Sequence, residues 1–419
     1  MTLPLLARLA PGLLPDSVVA CAGSQRITAS VLHEAARQSV RGDGRPRRRL
    51  LTAAEPLAFL SALIAALADG DIAVIPPNFQ PATLAALQTL PEPTPADVHQ
   101  IELYTSGSSG EPKCVPKQLD QLLRECDVLE QCWGSQLGRA PVLSTVPVHH
   151  VYGLLFRLLW PLRAGRVWDN DVVSEPAGLM ERLEALPGAI LVSSPSQLSR
   201  LPELLRPEQV AGRLKAVFSS GGLLSSMDAC RLQQAWQLPV LEVLGSTETG
   251  GMAWRDQQQD ARWQALPTVF LDANAQGALR VQSPFLPPPG VWQTEDAVRF
   301  ARDGRFELMG RLDRIVKIAE KRVSLDAMET LLRQHDWVQE AALAPVTLGG
   351  RAVLGGVLVP SQLAPLVRTE LLSALKTHLL QHYDPVLLPR RWRLCKQLPY
   401  NERGKLVQAD LVRLLQEPQ

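Results

Sequence analysis

Between Tyr104 and Lys113 the chain reads Tyr-Thr-Ser-Gly-Ser-Ser-Gly-Glu-Pro-Lys, its most informative segment. Thr105, Ser106, Ser108 and Ser109 supply hydroxyls, while Gly107 and Gly110 let the backbone turn tightly and present its N–H groups. Lys113 adds a compensating positive charge. A loop of this composition wraps an anion, and phosphate is its natural ligand. It is not a Walker loop. Pro112 stands five positions after Gly107 where a second glycine is required, and Cys114 follows the lysine in place of Ser or Thr. A flexible Ser/Gly linker is the competing reading of this segment taken alone.

Such a loop needs strands and helices to hold it, and the rest of the sequence supplies them. The 419 residues, 46% apolar and 20% charged, have the composition of a globular chain of two or three domains. With 43 basic and 42 acidic side chains the net charge is +1, which argues against nucleic acid as a partner. Cys21, Cys114, Cys126, Cys132, Cys230 and Cys395 show no metal-binding spacing and read as reduced thiols of a cytoplasmic protein. Val18-Val19-Ala20-Cys21 loosely resembles a lipoprotein cleavage site, but Pro4, Arg8, Pro11, Pro15 and Asp16 interrupt the apolar run that export needs. The longest apolar stretch, 57–68, is too short for a membrane span and reads as a buried helix. Arg45, Arg47, Arg48 and Arg49 read as a solvated loop or an anion contact.

Short apolar strands near 24–27, 72–75, 101–104, 142–146, 189–192, 216–219 and 240–244 alternate with helical stretches, among them 30–38 and 56–68. That alternation predicts an α/β fold with parallel-rich sheets packed with helices. Beyond Gly310 the texture becomes α+β, with helices expected over 324–334 and 364–381 and strands near 341–344 and 353–359. The expected organisation is a large N-terminal domain, 1–310, and a small mobile C-terminal domain, 311–419.

Taken together the motifs resemble those of the adenylate-forming enzymes, which include acyl-CoA synthetases, peptide-synthetase adenylation domains and luciferases. Residues 104–113 are similar to their YTSGSTGxPK signature, and further matches follow in order. Pro147 to Gly153 resembles PxxHxxG, Ser220-Gly221-Gly222 resembles SGG, and Gly245-Ser246-Thr247-Glu248 resembles GxTE. Thr294-Glu295-Asp296 resembles TGD, Gly310 to Asp313 with Lys317 resembles GRxDxxxK, and Leu398-Pro399 through Gly404-Lys405 resembles LPxTxxGK. The resemblance spans 24–408, and seven collinear motifs exclude coincidence.

The resemblance implies a two-step reaction: a carboxylate attacks the α-phosphate of ATP, and a thiol then displaces AMP from the acyl-adenylate. Cations and N–H donors must stand ready for the charge that shifts onto pyrophosphate. By resemblance, Thr105 to Lys113 hold the β- and γ-phosphates, Gly221 and Gly222 lie beside the adenine, and Glu248 holds Mg²⁺. Thr247 donates to the α-phosphate or the acyl carboxylate; Asp296 and Arg311 bind the ribose; Lys405 enters for adenylation and withdraws afterwards. His150, the one of the His149–His150 pair aligned with the family histidine, orients the acid; Gly250, Gly251 and Trp254 border its pocket; Asp313 is the hinge.

Several positions depart from the pattern. Ser109 replaces a threonine, Cys114 a glycine, Leu244 an adenine-stacking tyrosine, Glu295 the glycine of TGD, and Glu320 a glycine near the thiol path. The part before the phosphate loop is also short for the family. That shortness favours a dedicated ligase passing the acyl group to acyl-carrier-protein phosphopantetheine in preference to CoA, and Trp254, by shortening the pocket, favours a small aryl acid such as a hydroxybenzoate. Arg390, Arg391, Arg393 and Lys396 offer a face for an acidic carrier or for the phosphates of CoA. The alternatives are a fatty acyl-CoA synthetase and, in another class, a non-catalytic AMP- or ATP-binding regulatory protein on the same fold.

Overall fold

The computed structural model describes residues 2–94, 99–106, 112–171, 176–318, 321–348, 351–365, 367–400 and 406–417. Packing separates two compact units, Met1–Leu271 with Val281–Trp292, and Asp272–Arg280 with Gln293–Gln419. The functional boundary expected at 310–311 is a different kind of boundary from this division by packing, which does not test it.

The first unit is organised by a nine-stranded sheet, in the order Gln264–Ala265, Gly250–Asp256, Val240–Ser246, Leu214–Ser219, Ala189–Ser193, Val142–Ser144, Trp168–Asp169, Val18–Ala22, Gln25–Thr28. From Val240–Ser246 across to Val18–Ala22 the neighbours run parallel, and antiparallel strands close both edges. Strands covered on both faces must be apolar throughout, and Ala189–Ser193 is buried at every residue. On one face Leu143, Leu191 and Val217 pack with Leu179, Leu183, Leu232 and Trp236 of the helices Pro176–Ala185 and Ser226–Trp236. On the other, the helix Leu119–Leu137 sets Trp133 edge-on to Phe218 with ring centroids 5.0 Å apart.

A second sheet carries the phosphate-loop signature. Arg48–Leu50, Ile72–Ile75 and Ile101–Ser106 run parallel, and the last folds back antiparallel onto Pro112–Lys117. Behind them lies the helix Pro56–Ala68, where the Glu55 carboxylate accepts from the Ala58 N–H and Pro56 occupies a first-turn position that needs no donor. The arginine-rich turn is neutralised from within: Arg41 and Arg49 meet Asp69 and Asp71, Arg47 meets Asp43, and Arg48 meets Glu102.

The second unit holds a three-stranded sheet, Val338–Leu348, Arg351–Pro360 and Arg391–Leu394. Alternation along Ala341 to Ala344 sends Ala341 and Leu343 toward the helices Leu325–Arg333 and Arg368–Leu380, and Ala342 and Ala344 toward Leu411 and Leu415 of Gln408–Gln416. Gly355 permits that last approach, since a Cβ there would fall 2.8 Å from Leu415.

The chain folds into the α/β class expected, with a small α+β part. The helix expected from 364 begins at Arg368, because Pro365 disfavours helical backbone at the residue before it. The structure adds a helix, Thr2–Leu9, to those the sequence predicts: Pro4 interrupts the apolar pattern but stands in the first turn, where proline is tolerated. Two of the four cations near 390–396 have a structural role, since Arg391 and Arg393 donate to the carbonyls of Leu414, Gln416 and Glu417 at the end of the last helix.

Candidate active site

Three of the sequence motifs emerge from the carboxyl ends of parallel strands in the nine-stranded sheet, where open α/β sheets bind ligands. Val142–Ser144 leads to Pro147 through Gly153, Leu214–Ser219 to Gly221 and Gly222, and Val240–Ser246 to Thr247 and Glu248. Gly221 has φ +84° and an exposed backbone, a conformation that a side chain would strain. Ser220 anchors that ledge by donating its hydroxyl to the Val243 carbonyl at 2.8 Å.

The phosphate-loop hairpin pairs Thr105 with Lys113 and Ser106 with Pro112, so residues 107–111 join two strands in register. Gly107, Ser108, Ser109 and Gly110 lie outside the described residues, and Ser106 is described in its backbone alone. Lys113 points from this hairpin to the turn after Val240–Ser246, where its Nζ lies 3.0 Å from Glu248 Oε1 and 5.9 Å from the Trp292 ring centroid. Burial alone would raise the Glu248 carboxyl, but the Lys113 ammonium overrides it and holds the group below the ordinary carboxylate range. Glu248 is therefore ionised and oriented, the state a cation ligand requires. Among the described residues no three His, Cys, Asp or Glu side chains gather as an all-protein metal cage. One ionised carboxylate beside Lys113 of the hairpin strand instead suits a hard cation whose other ligands are phosphate oxygens and water.

Beneath this pair lie two residues that the motifs did not flag. Lys117, four residues beyond Lys113 on the same strand, donates to the Glu248 carbonyl at 2.7 Å and to the Phe285 carbonyl at 3.4 Å. Glu125, on the helix Leu119–Leu137, accepts from the Gly251 N–H at 2.6 Å. Burial drives Lys117 below the usual ammonium value and pushes Glu125 up to about 7, against the pull of the Gly251 N–H and of Lys117. Their signal in the sequence is a charge at a position where alternation and helical periodicity call for an apolar side chain.

Gly250 and Gly251 lie buried against that carboxylate. Gly250 has φ +69°, and a Cβ on it would stand 2.5 Å from Glu125 Oε2. Trp254 packs edge-on to Trp133 at 5.6 Å, at the rim of an aromatic cluster that continues through Trp160, Phe218, Phe156 and Tyr152. His150 immediately precedes the turn Val151–Gly153, and its ring lies 4.4 Å from that of His149, which rests on Phe79 at 4.5 Å. Thr247 is half-buried in the turn beside Glu248.

In the second unit the cross-strand pair Asp296–Arg311 brings the expected ribose ligands together, with Arg311 Nη1 3.3 Å from Asp296 Oδ1. Arg311 also grips both carboxylate oxygens of Asp313 at 2.9 and 2.7 Å. That contact raises Arg311 and lowers Asp313, whereas burial raises Asp296 despite the arginine. Lys405 and Glu320 lie outside the described residues, and Lys317 is described in its backbone alone. A bridge pairs Tyr400 with Leu406, and the Tyr400 hydroxyl donates to Glu340 at 2.8 Å.

A family model described as AMP-binding enzyme matches residues 15–271. The 4-coumarate–CoA ligase of Cereibacter sphaeroides is 28% identical over 306 residues, 72% of this chain and 69% of that one. The D-alanine–D-alanyl carrier protein ligase of Staphylococcus aureus is 26% identical over 353 residues, 75% and 70% of the two chains. Among solved structures, ATP-bound MatB from Rhodopseudomonas palustris superimposes with a TM-score of 0.81 at 17% identity, covering 99% of both chains.

Proposed function

This chain belongs to the AMP-binding enzyme family and is an AMP-forming acid–thiol ligase, and from that premise we propose that it activates a small aryl acid and hands the acyl group to a carrier-protein phosphopantetheine or to CoA. The observation that carries the adenylation step is the ionised Glu248 set against Lys113 of the phosphate-loop strand. The loop and Lys113 bind the triphosphate and draw off charge as pyrophosphate leaves, while Thr247 donates its hydroxyl to the α-phosphate or the attacking carboxylate. Glu248 is the residue that would hold Mg²⁺, which supplies positive charge to the phosphate oxygens when bound. Gly221 and Gly222 leave room for the adenine, and Asp296 and Arg311 take the ribose hydroxyls.

His150 orients the acid at the carboxyl end of the central sheet. Gly250, Gly251 and Trp254 border the pocket, and the bulk of Trp254 and its aromatic neighbours favours a short, flat acid over a fatty chain. One of the relatives is named for an aryl acid and another for a carrier protein, which supports both halves of the proposal without choosing the acceptor. Lys405 neutralises the charge between carboxylate and α-phosphate, and rotation about Asp313 of residues 311–419 against 1–310 then withdraws it.

The test is incubation with ATP, magnesium, hydroxylamine and a panel of hydroxybenzoic, cinnamic and fatty acids. Hydroxamate with AMP and pyrophosphate from a hydroxybenzoate supports the proposal. Turnover confined to fatty acids moves the substrate to the alternative. Lys405→Ala is expected to lower adenylate formation by about 10³-fold while ATP binding changes little; undiminished adenylation removes Lys405 from the mechanism. Comparison of CoA with holo-carrier protein as acceptor decides the second half.

A further inference from the structure

One strand grips Glu248 at both ends. Lys113 Nζ meets its carboxylate at 3.0 Å and Lys117 Nζ meets its main-chain carbonyl at 2.7 Å, and both lysines belong to Pro112–Lys117. The two differ in environment, since the Lys113 side chain is 57% exposed and Lys117 is 2% exposed. A buried ammonium is costly to desolvate, and an apolar side chain of similar length would pack as well. Its use must therefore lie in what it bonds.

Those bonds go to backbone. Glu248 stands in the turn between Val240–Ser246 and Gly250–Asp256, outside the ladder that pairs these strands, so strand pairing does not fix its carbonyl. Lys117 fixes it and ties it to the phosphate-loop strand. From below, Glu125 accepts from the Gly251 N–H at 2.6 Å and sits against Gly250 so closely that no Cβ would fit. The turn carrying Thr247 and Glu248 is thus clamped by an ammonium on one side and a carboxylate on the other, both buried.

Triphosphate and cation compete with this exposed ion pair for Lys113 and Glu248, and where the two part, the buried contacts are those that among the described residues still register the turn with the strand. We propose that Lys117, with Glu125 bracing the same turn from below, is a positioning residue for adenylate formation, keeping the Glu248 turn in place while Lys113 and Glu248 exchange their mutual ion pair for the nucleotide. This rests on the ligase reading above.

The experiment uses the full chain and measures ATP affinity by calorimetry, with magnesium chelated and with magnesium in excess, beside ATP–pyrophosphate exchange. Lys117→Met is expected to leave chelated-ATP affinity within about twofold of wild type, to cut the enhancement by magnesium about tenfold, and to lower exchange kcat about 100-fold at unchanged KM for the acid. Lys117→Arg, which keeps charge and donors, should recover the magnesium response to within about threefold. Glu125→Met removes the acceptor for the Gly251 N–H, and should cut the magnesium enhancement about threefold. Full magnesium enhancement in Lys117→Met overturns the inference, as does an equal loss of ATP affinity with and without the metal. If Lys117→Met does not fold, a wild-type magnesium response in Glu125→Met overturns it. Wild-type protein without exchange for any acid defeats the ligase reading instead, whereas active wild type with an indifferent Lys117→Met defeats this inference alone.

Discussion

The two charged clusters proposed as nucleotide ligands are built on opposite plans. Around Glu248, buried Lys117 and Glu125 bond to main-chain groups and fix the path of a turn. Around Arg311, the guanidinium is shared between the carboxylates of Asp296 and Asp313, whose side chains are 22% and 49% exposed. The first arrangement fixes backbone geometry, and the second fixes chiefly a charge. An exposed guanidinium can pass from one carboxylate to the other at small cost because water screens each pairing. A buried ammonium that leaves its carbonyls strands both partners. The difference matches a turn that must hold reacting groups still and a segment proposed to rotate.

The largest test of this contrast is the pH dependence of stability. Burial holds Glu125 at about 7, above its ordinary 4.5, so folding favours its protonated form. The stability it contributes is complete below about pH 4.5 and is lost as pH rises through 7, when the buried carboxyl must ionise. A displacement of that size corresponds to about 3 kcal/mol. Urea titrations from pH 4.5 to 8 should show wild type losing about 3 kcal/mol relative to Glu125→Gln across this window. Parallel stability curves for the two proteins would mean that Glu125 ionises freely, and the brace under the turn would lose its physical basis.

The next pair of substitutions asks whether the two clusters act on different kinetic steps. Thr247→Val keeps the shape of a residue in the clamped turn and removes its hydroxyl; kcat for ATP–pyrophosphate exchange should fall about 30-fold, near 2 kcal/mol, with KM for ATP little changed. Asp296→Asn should instead raise KM for ATP about tenfold, near 1.4 kcal/mol, and leave kcat within a small factor. If both variants lower kcat alike, the division between geometry and binding collapses.

The sequence exposed these clusters unequally, for physical reasons. Glu248, Asp296 and Arg311 stand in motifs whose resemblance to the adenylate-forming enzymes implies phosphate and sugar chemistry. The strands 189–193 and 240–246 are apolar runs that only a two-faced sheet accommodates, so the α/β class followed from them. Lys117 and Glu125 left only a weak trace. A lysine at the end of a strand and a glutamate on a helix are ordinary surface residues until tertiary packing buries them, and periodicity reports the preferred face without naming the exception. The pairing of Lys113 with Glu248, 135 residues apart, is likewise set by how two sheets meet. Trp254 shows the converse: its size was plain in the sequence, but its contact with Trp133 depends on the strand facing the helix Leu119–Leu137.

Asp313→Asn should have the smallest effect and probes the exposed cluster directly. The carboxylate lies below its ordinary range because Arg311 donates to it through two nitrogens, yet nearly half of its side chain meets water. Removing the charge should cost about 0.5 kcal/mol in stability, and added salt should erase much of that difference. Arg311 would then turn more fully to Asp296, whose carboxyl burial raises, and hold it in the ionised form that accepts from ribose hydroxyls. KM for ATP should therefore fall slightly, by about twofold, while transfer to the thiol slows by a similar factor because the released hinge charge no longer offers an alternative partner. A loss of stability several times larger, or one indifferent to salt, would show that Asp313 braces backbone as Lys117 does, and the two clusters would no longer stand as opposites.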